Sequence, residues 1–305
     1  MNGTKKTLYV TFYFNVIPVD QGGNIMEYDW IVNVLLEKIN RPIKIVKADE
    51  KHRRNDTLHV YLFQPEKDIF VKSNGLVNQG AYHMGDELMK NNIDYYPIAT
   101  YVFRNYYNAD YLMAYPSVHY VPLGTKTGFG PVQLNSLLPP SQRKYMVNFI
   151  GSIRSNRQEM VDRIKNKNIT SYIYVQKGWA SSDGLNVVNY RDILRESVFT
   201  LAPWGNNPES MRLYEAIEAG SIPIFQKLDP KRSPMTPMGP NNPIPQFDNW
   251  NEAIDFIDKM SLDVKLIDNL QKRVISFWKS YKEESQLKIK KVIDKAFRES
   301  HGYEC

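Results

Sequence analysis

Short runs of apolar, β-branched and aromatic residues recur along this chain, separated by longer stretches whose apolar positions fall every three or four residues. The first pattern predicts strands and the second amphipathic helices. LYVTFYF (Leu8–Phe14), PIKIVKA (42–48) and TLHVYLF (Thr57–Phe63) read as strands, and NIMEYDWIVNVLLEKI (24–39) as a helix. DIFVKSNGLV (68–77) is a further strand candidate, HMGDELMKNN (83–92) a short helix after a turn, and IDYYPIATYVFR (93–104) an aromatic, β-rich run. VHYVPLGTKTGF (118–129) reads as a strand running into a loop.

LLPPSQRK (Leu137–Lys144), with two prolines before polar and basic residues, has the character of a linker. After it the pattern restarts: strand YMVNFIG (Tyr145–Gly151), helix SNRQEMVDRIKNK, strand SYIYVQ, helix YRDILRES, strand VFTLAP, helix PESMRLYEAIEAG, strand SIPIF. A proline-rich loop, Leu228–Pro245, is long enough to suggest a ligand-facing role. WNEAIDFIDKM predicts another helix, and Asp263–Phe297 a long one, with Ile267, Leu270, Val274, Phe277 and Trp278 at core spacing. Strands alternating with helices predict an α/β fold with parallel sheets. The predicted domains are 1–140 and 141–279, with a C-terminal helix at about 280–305 packing back on the first.

Composition narrows the function classes. The chain has 305 residues, 42% hydrophobic and 24% charged, as a folded two-domain protein has. A net charge of +6 permits an anionic ligand such as a nucleotide. It does not call for nucleic acid, because no long Lys/Arg block occurs. The single cysteine, Cys305, excludes an intramolecular disulfide and a thiolate metal site. The first apolar run is interrupted by Thr11, Asn15 and Pro18 and reads as a strand rather than a signal peptide. With no membrane-spanning stretch, the expectation is a soluble, cytoplasmic chain.

Two strand–helix turns of the second half could carry chemistry. GSIRSNR (Gly151–Arg157) offers helix-end N–H groups, with Arg154 and Arg157 able to bond a diphosphate. In APWGNNPES (Ala202–Ser210), Gly205 and the asparagines, Asn207 among them, permit a tight loop at a donor, and Ser210 could hold phosphate oxygens. The helix that follows places Leu213, Ala216, Ile217 and Gly220 on a core face, with Arg212 and Glu215 as neighbours on the opposite side. Arg212 suits the same phosphate and Glu215, an acceptor only, a ribose diol; an exposed ion pair is the alternative. Trp179 could stack a base. In the first half, His83, Asp86 and Glu87 cluster around Gly85, as a base for an acceptor hydroxyl or as a helix start. Their spacing matches no strong metal motif, and Asp20 is a rival base.

RKYMVNFIGSIR (Arg143–Arg154) and YRDILRESVFTLAPWGNNPESMRLYEAIEAGSIPIF (Tyr190–Phe225) resemble the exostosin-like glycosyltransferases, nearest to the ribitol xylosyltransferase branch. GAYHMGDE, HYVPLGT and IPQFDNWNEAIDFI extend the resemblance from about Gly75 onward. It implies a GT-B fold of two Rossmann-like α/β/α domains facing a cleft. It also implies an inverting transfer from a UDP-sugar, UDP-xylose in the nearest relatives, to a glycan, with no metal or other cofactor required. The family's donor-site arginine and glutamate fall on Arg212 and Glu215, and its basic turn on Arg154 and Arg157. The expectation of a chain without a membrane anchor, and the proline-rich insertion after Asp229, leave the acceptor open. A module that binds nucleotide-sugar or glycan without turnover is the alternative, and a nucleic-acid binder a weaker one.

Overall fold

The computed structural model describes residues 5–13, 27–48, 54–61, 70, 75–130, 136–154, 157–178 and 182–302. It divides into two compact units, Met1–Leu123 with Lys282–Cys305, and Gly124–Tyr281. Each is built on a wholly parallel sheet, as the alternating pattern predicts.

The first unit orders its six strands β2-β1-β3-β4-β5-β6. They are β1 Leu8–Phe12, β2 Ile43–Lys47, β3 Thr57–Tyr61, β4 Gln79–His83, β5 Tyr101–Arg104 and β6 Val118–Tyr120. Every residue of β3, β4 and β5 is buried, as in a parallel sheet covered on both faces. At Gly80 a side chain has no room, since a Cβ there would lie 2.2 Å from the ring of Tyr101, its partner on β5. The helix predicted at 24–39 includes a π-helical segment, Trp30–Leu35, whose Trp30 Nε1 donates to the Pro122 carbonyl at 3.0 Å. A helix that the pattern does not announce, α1 (Ala109–Ala114), is capped by Asn108 Oδ1, which accepts from the N–H groups of Asp110 and Tyr111.

Two predictions for this unit change, and one strand is new. QGAYH, which the pattern leaves unassigned, forms the strand β4 despite lacking a β-branched residue, because its neighbours bury it. HMGDELMKNN is a turn rather than a helix. The Asp86 carboxylate accepts from the N–H groups of Lys90 and Asn91, and Met89 takes a positive φ of 55°, so side-chain bonds replace the helical ladder. IDYYPIATYVFR is turn up to its last four residues, which form β5. The strand candidate DIFVKSNGLV falls largely outside the described residues.

The second unit orders its strands β11-β10-β9-β7-β8. They are β7 Tyr145–Ser152, β8 Ser171–Gln176, β9 Ser197–Leu201, β10 Ile222–Gln226 and β11 Gln246–Phe247. Its helices are α2 Arg157–Lys165, α3 Val187–Arg195, α4 Met211–Glu218, α5 Met235–Met238, α6 Trp250–Met260 and α7 Val264–His301. α2 packs on α6 and α3 on α4. With right-handed crossovers, these two pairs cover opposite faces of the sheet. α4 ends as Gly220 implies: Gly220 has φ +69° and, with Ser221, donates back to Ile217 and Ala216, the double bond of a Schellman cap. The proline-rich loop contains α5, with Met235 and Met238 buried. The first half of α7 belongs to this unit, where Trp278 Nε1 donates to Glu218 Oε1 at 2.8 Å. The second half belongs to the first unit, where Gln286 donates to the Val34 carbonyl and Arg41 stacks on Phe297.

The division after Leu123 falls earlier than the predicted one at 140, and LLPPSQRK lies inside the second unit. Arg143 is the reason. Its buried guanidinium donates to the carbonyls of Leu138 (2.9 Å), Leu194 (3.3 Å), Ser197 (2.8 Å) and Ala219 (3.2 Å), tying the linker-like segment to the α3–β9 and α4–β10 connections. Burial, with Arg195 nearby, lowers its pKa to about 10, so it stays charged at neutral pH. Among the described residues no helix is long and apolar enough to cross a membrane. Replacing Arg143 by lysine loses the fork that reaches these oxygens. Arg143→Lys is expected to cost at least about 3 kcal/mol, read as a lower urea midpoint at unchanged slope.

Candidate functional site

Leaving β7, the chain goes to β8 on one side and later returns to β9 on the other, so β7 and β9 flank the switch point of the second sheet. They run side by side, with Asn148 opposite Thr200, and the Asn148 amide donates to Thr200 Oγ1 at 2.7 Å. Open α/β sheets bind ligands just beyond the carboxyl ends of such strands. The turns that follow these two strands are the ones singled out from the sequence.

Arg157 joins the two turns. From the start of α2 its Nη1 donates to the carbonyl of Ser152, the last residue of β7, at 2.9 Å, and its Nη2 to the Trp204 carbonyl after β9 at 2.7 Å. It is buried, and desolvation, with Arg212 and Arg154 nearby, lowers its pKa to about 10. Arg157 thus braces the two turns with one N–H of each terminal nitrogen, and the expectation that it also reaches a diphosphate rests on its other N–H groups. Arg154, three residues earlier, is exposed and remains suited to an anion. Asn207 is likewise occupied in shaping its loop, its buried Oδ1 accepting from the Glu209 N–H at 3.0 Å.

Ser210 and Arg212 open α4 at the same end of the sheet. Ser210 is the N-cap residue, yet its hydroxyl caps nothing, and its buried Oγ has no hydrogen-bond partner. Arg212 reaches across the end of β7. Its Nη2 donates to the Ile150 carbonyl at 2.8 Å, and its guanidinium carbon lies 5.6 Å from the centre of the Phe149 ring. A side chain on Gly151 would place its Cβ 2.8 Å from that Nη2, so the guanidinium would have to shift from its present place. The buried Nε of Arg212 has no partner. Two orphaned polar atoms thus sit at a helix N-terminus, where backbone N–H groups and the macrodipole favour an anion.

Glu215 departs from its predicted place. It does not lie on an open face opposite the core; it is buried, because α4 is covered by α3 and the 124–130 segment as well as by the sheet. Its Oε1 accepts from the Lys126 backbone N–H at 3.1 Å and its Oε2 from the Tyr190 hydroxyl at 3.0 Å. Burial raises its pKa, opposed by these two bonds and by Arg212. Each oxygen keeps a lone pair for another donor. Tyr190 and Lys126 escaped the sequence reading: Tyr190 lies in an ordinary helical run, and Lys126 contributes only its backbone.

The acid–base cluster of the first unit is largely internal. Asp86 is buried and ion-paired to the buried Arg104 at 3.2 Å, while its other oxygen takes the Lys90 and Asn91 N–H groups. His83 is buried against the Tyr96 hydroxyl at 2.8 Å (Nδ1) and the Asn91 amide nitrogen at 3.2 Å (Nε2). Desolvation, with Arg104 nearby, lowers its pKa to about 3. Both are thereby corrected from candidate bases to parts of a buried network that shapes the turn. Glu87 is half-buried, with Oε1 accepting from the Tyr106 hydroxyl at 3.3 Å, and of the three it alone stays accessible. Among the described residues no group of three or more His, Cys, Asp or Glu side chains is arranged to hold a metal ion. Trp179 and Asp20 lie outside the described residues.

Residues 126–298 match the family described as the RXYLT1 C-terminal domain. Human ribitol-5-phosphate xylosyltransferase 1 is 25% identical over 202 residues, covering 58% of this chain and 44% of that protein. The chain thus spans less than half the length of the curated relatives it matches. The DNA-modifying β-glucosyltransferase superposes with a TM-score of 0.55 at 14% identity, covering 95% of this chain and all of that one. An α1,3-fucosyltransferase gives 0.53 at 14% identity, covering 91% and 90%. These likenesses give the fold, which is of the GT-B type implied by the sequence resemblance.

The His83 environment has a consequence for acid stability. Its folded pKa lies below the unfolded value of 6.5, so its contribution is full above 6.5 and is lost as pH falls from there toward 3. Between those limits the unfolded chain binds a proton that the folded chain refuses. The unfolding midpoint is expected to fall more steeply between pH 6.5 and 4 in the wild type than in His83→Gln, as measured by denaturation at a series of pH values.

Proposed function

The chain belongs to the RXYLT1 C-terminal domain family, and from that membership we propose that it is an inverting glycosyltransferase, moving xylose from UDP-xylose to a hydroxyl of a glycan acceptor. The observation that carries the reading is the pair of orphaned atoms, Ser210 Oγ and Arg212 Nε, at the N-terminus of α4 and the switch point of the sheet. A diphosphate supplies the acceptors both atoms lack. Arg154 and the first N–H groups of α4 add to the same countercharge. Glu215, one turn deeper, accepts from the ribose diol through its remaining lone pairs. The human relative's name includes ribitol-5-phosphate, but the acceptor here is proposed only as a glycan hydroxyl.

In the reaction, the acceptor oxygen forms a bond to the anomeric carbon while the bond from that carbon to the β-phosphate oxygen breaks. The electron pair leaves with UDP, and the acceptor proton passes to Glu87. Charge develops on the departing diphosphate, and the fixed arginines with the helix-end N–H groups stabilise it more than they stabilise the bound donor. This role is the one a metal ion fills at other donor sites, and donor binding is proposed to need none.

Two measurements test the reading. By calorimetry, Arg212→Ala and Glu215→Ala are each expected to weaken UDP binding by about 1–3 kcal/mol; unchanged affinity in folded variants removes the site. In a transfer assay with EDTA present, wild-type turnover is expected to persist, while Glu87→Gln loses turnover and keeps its UDP affinity. Activity in Glu87→Gln assigns the base elsewhere, and loss of wild-type activity in EDTA overturns the metal-free donor site.

A further inference from the structure

Among the described tryptophans, Trp30, Trp250 and Trp278 are buried, whereas Trp204 is 39% exposed. It stands in the turn that leads from β9 to α4. That turn is held from within. The Trp204 carbonyl accepts from Arg157, the Gly205 N–H donates to the Asn207 carbonyl at 3.1 Å, and the Asn207 side chain accepts from Glu209. The Glu209 carboxylate in turn accepts from the buried Tyr214 hydroxyl. The backbone is therefore fixed by polar contacts while the indole faces water. A large ring left 39% exposed at the ligand end of a sheet suits a ligand with a flat apolar face.

The order of groups across the sheet end says which part of a ligand meets it. Glu215, with Tyr190 and Lys126, lies on the face covered by α3 and α4. Arg212 crosses the end of β7. Arg157 and the Trp204 carbonyl it holds lie toward the opposite face, where α2 packs on α6. A nucleotide with its ribose at Glu215 and its diphosphate at Ser210 and Arg212 delivers its sugar toward Trp204. We propose that Trp204 is a stacking platform for the pyranose ring of the donor sugar, and this rests on the donor-site reading above. The C–H face of the ring covers the indole, and its hydroxyls are left to polar partners. Trp204 thereby separates a loaded donor from spent UDP, which lacks the pyranose ring.

The test compares UDP, UDP-xylose and UDP-glucose on wild type, Trp204→Ala, Trp204→Phe and Arg212→Ala by calorimetry, with iodide quenching of tryptophan emission. Trp204→Ala is expected to lose about three- to tenfold in affinity for a UDP-sugar and none for UDP, with Trp204→Phe keeping most of it. In the wild type a UDP-sugar, but not UDP, is expected to shield emission from iodide, and Trp204→Phe is expected to lose that shielding. Equal losses for UDP and UDP-sugar in Trp204→Ala assign the indole to the base and overturn the proposal. So does an unchanged UDP-sugar affinity in a variant with the wild-type unfolding midpoint. The Arg212→Ala arm separates the two readings. If it weakens UDP while Trp204→Ala changes nothing, only the stacking role fails. If wild type binds no UDP, or Arg212→Ala binds it as well as wild type, the donor site itself fails, and the stacking role with it.

Discussion

Two hydrogen bonds from one buried guanidinium set the geometry of the candidate site. Arg157 holds the Ser152 and Trp204 carbonyls, and so fixes the turn after β7 against the turn after β9. Charge-assisted bonds of this kind are worth about 1.5–3 kcal/mol each. They act here against a cost, since burial and two neighbouring arginines depress the guanidinium pKa. A cation kept under such conditions is a structural tie. The mutual proximity of Arg154, Arg157 and Arg212 concentrates positive charge at this end of the sheet.

The second unit was more legible in the sequence than the first, for identifiable reasons. Its strands are β-branched and short, and its helices carry their own punctuation. WNEAIDFIDKM forms α6, Trp250–Met260, with Asn249 accepting from the Glu252 N–H as its cap. Gly220 closes α4 where a glycine is required. In the first unit the local signals point elsewhere. HMGDELMKNN has helical spacing, but the Asp86 carboxylate takes the N–H groups that a helix would use, and Arg104 holds that carboxylate in place. An ion pair between residues 18 positions apart is invisible to periodicity.

The site residues divide along the same line. Ser210 and Arg212 stand at the predicted helix start, because the strand–turn–helix pattern fixes where that start lies. Arg157 and Asn207 are in the predicted turns but turn inward to bond the backbone, a choice made by the neighbouring turn and not by their own spacing. Glu215 sits three residues from Arg212 as the helix demands, yet is buried, because a segment some ninety residues upstream covers it. Helical periodicity tells which positions share a face; it does not tell how many faces of a central helix are covered.

Arg143 carries an implication for how the second unit comes together. Its four carbonyl acceptors lie 5, 51, 54 and 76 positions away along the chain. Until all are assembled, water solvates that guanidinium better than the protein can, and its dehydration is unfavourable. Its stabilisation therefore depends on connections far apart in the chain being assembled together, a coupling of high sequence separation. A segment that looks like a hinge between domains is, in folding terms, a clasp.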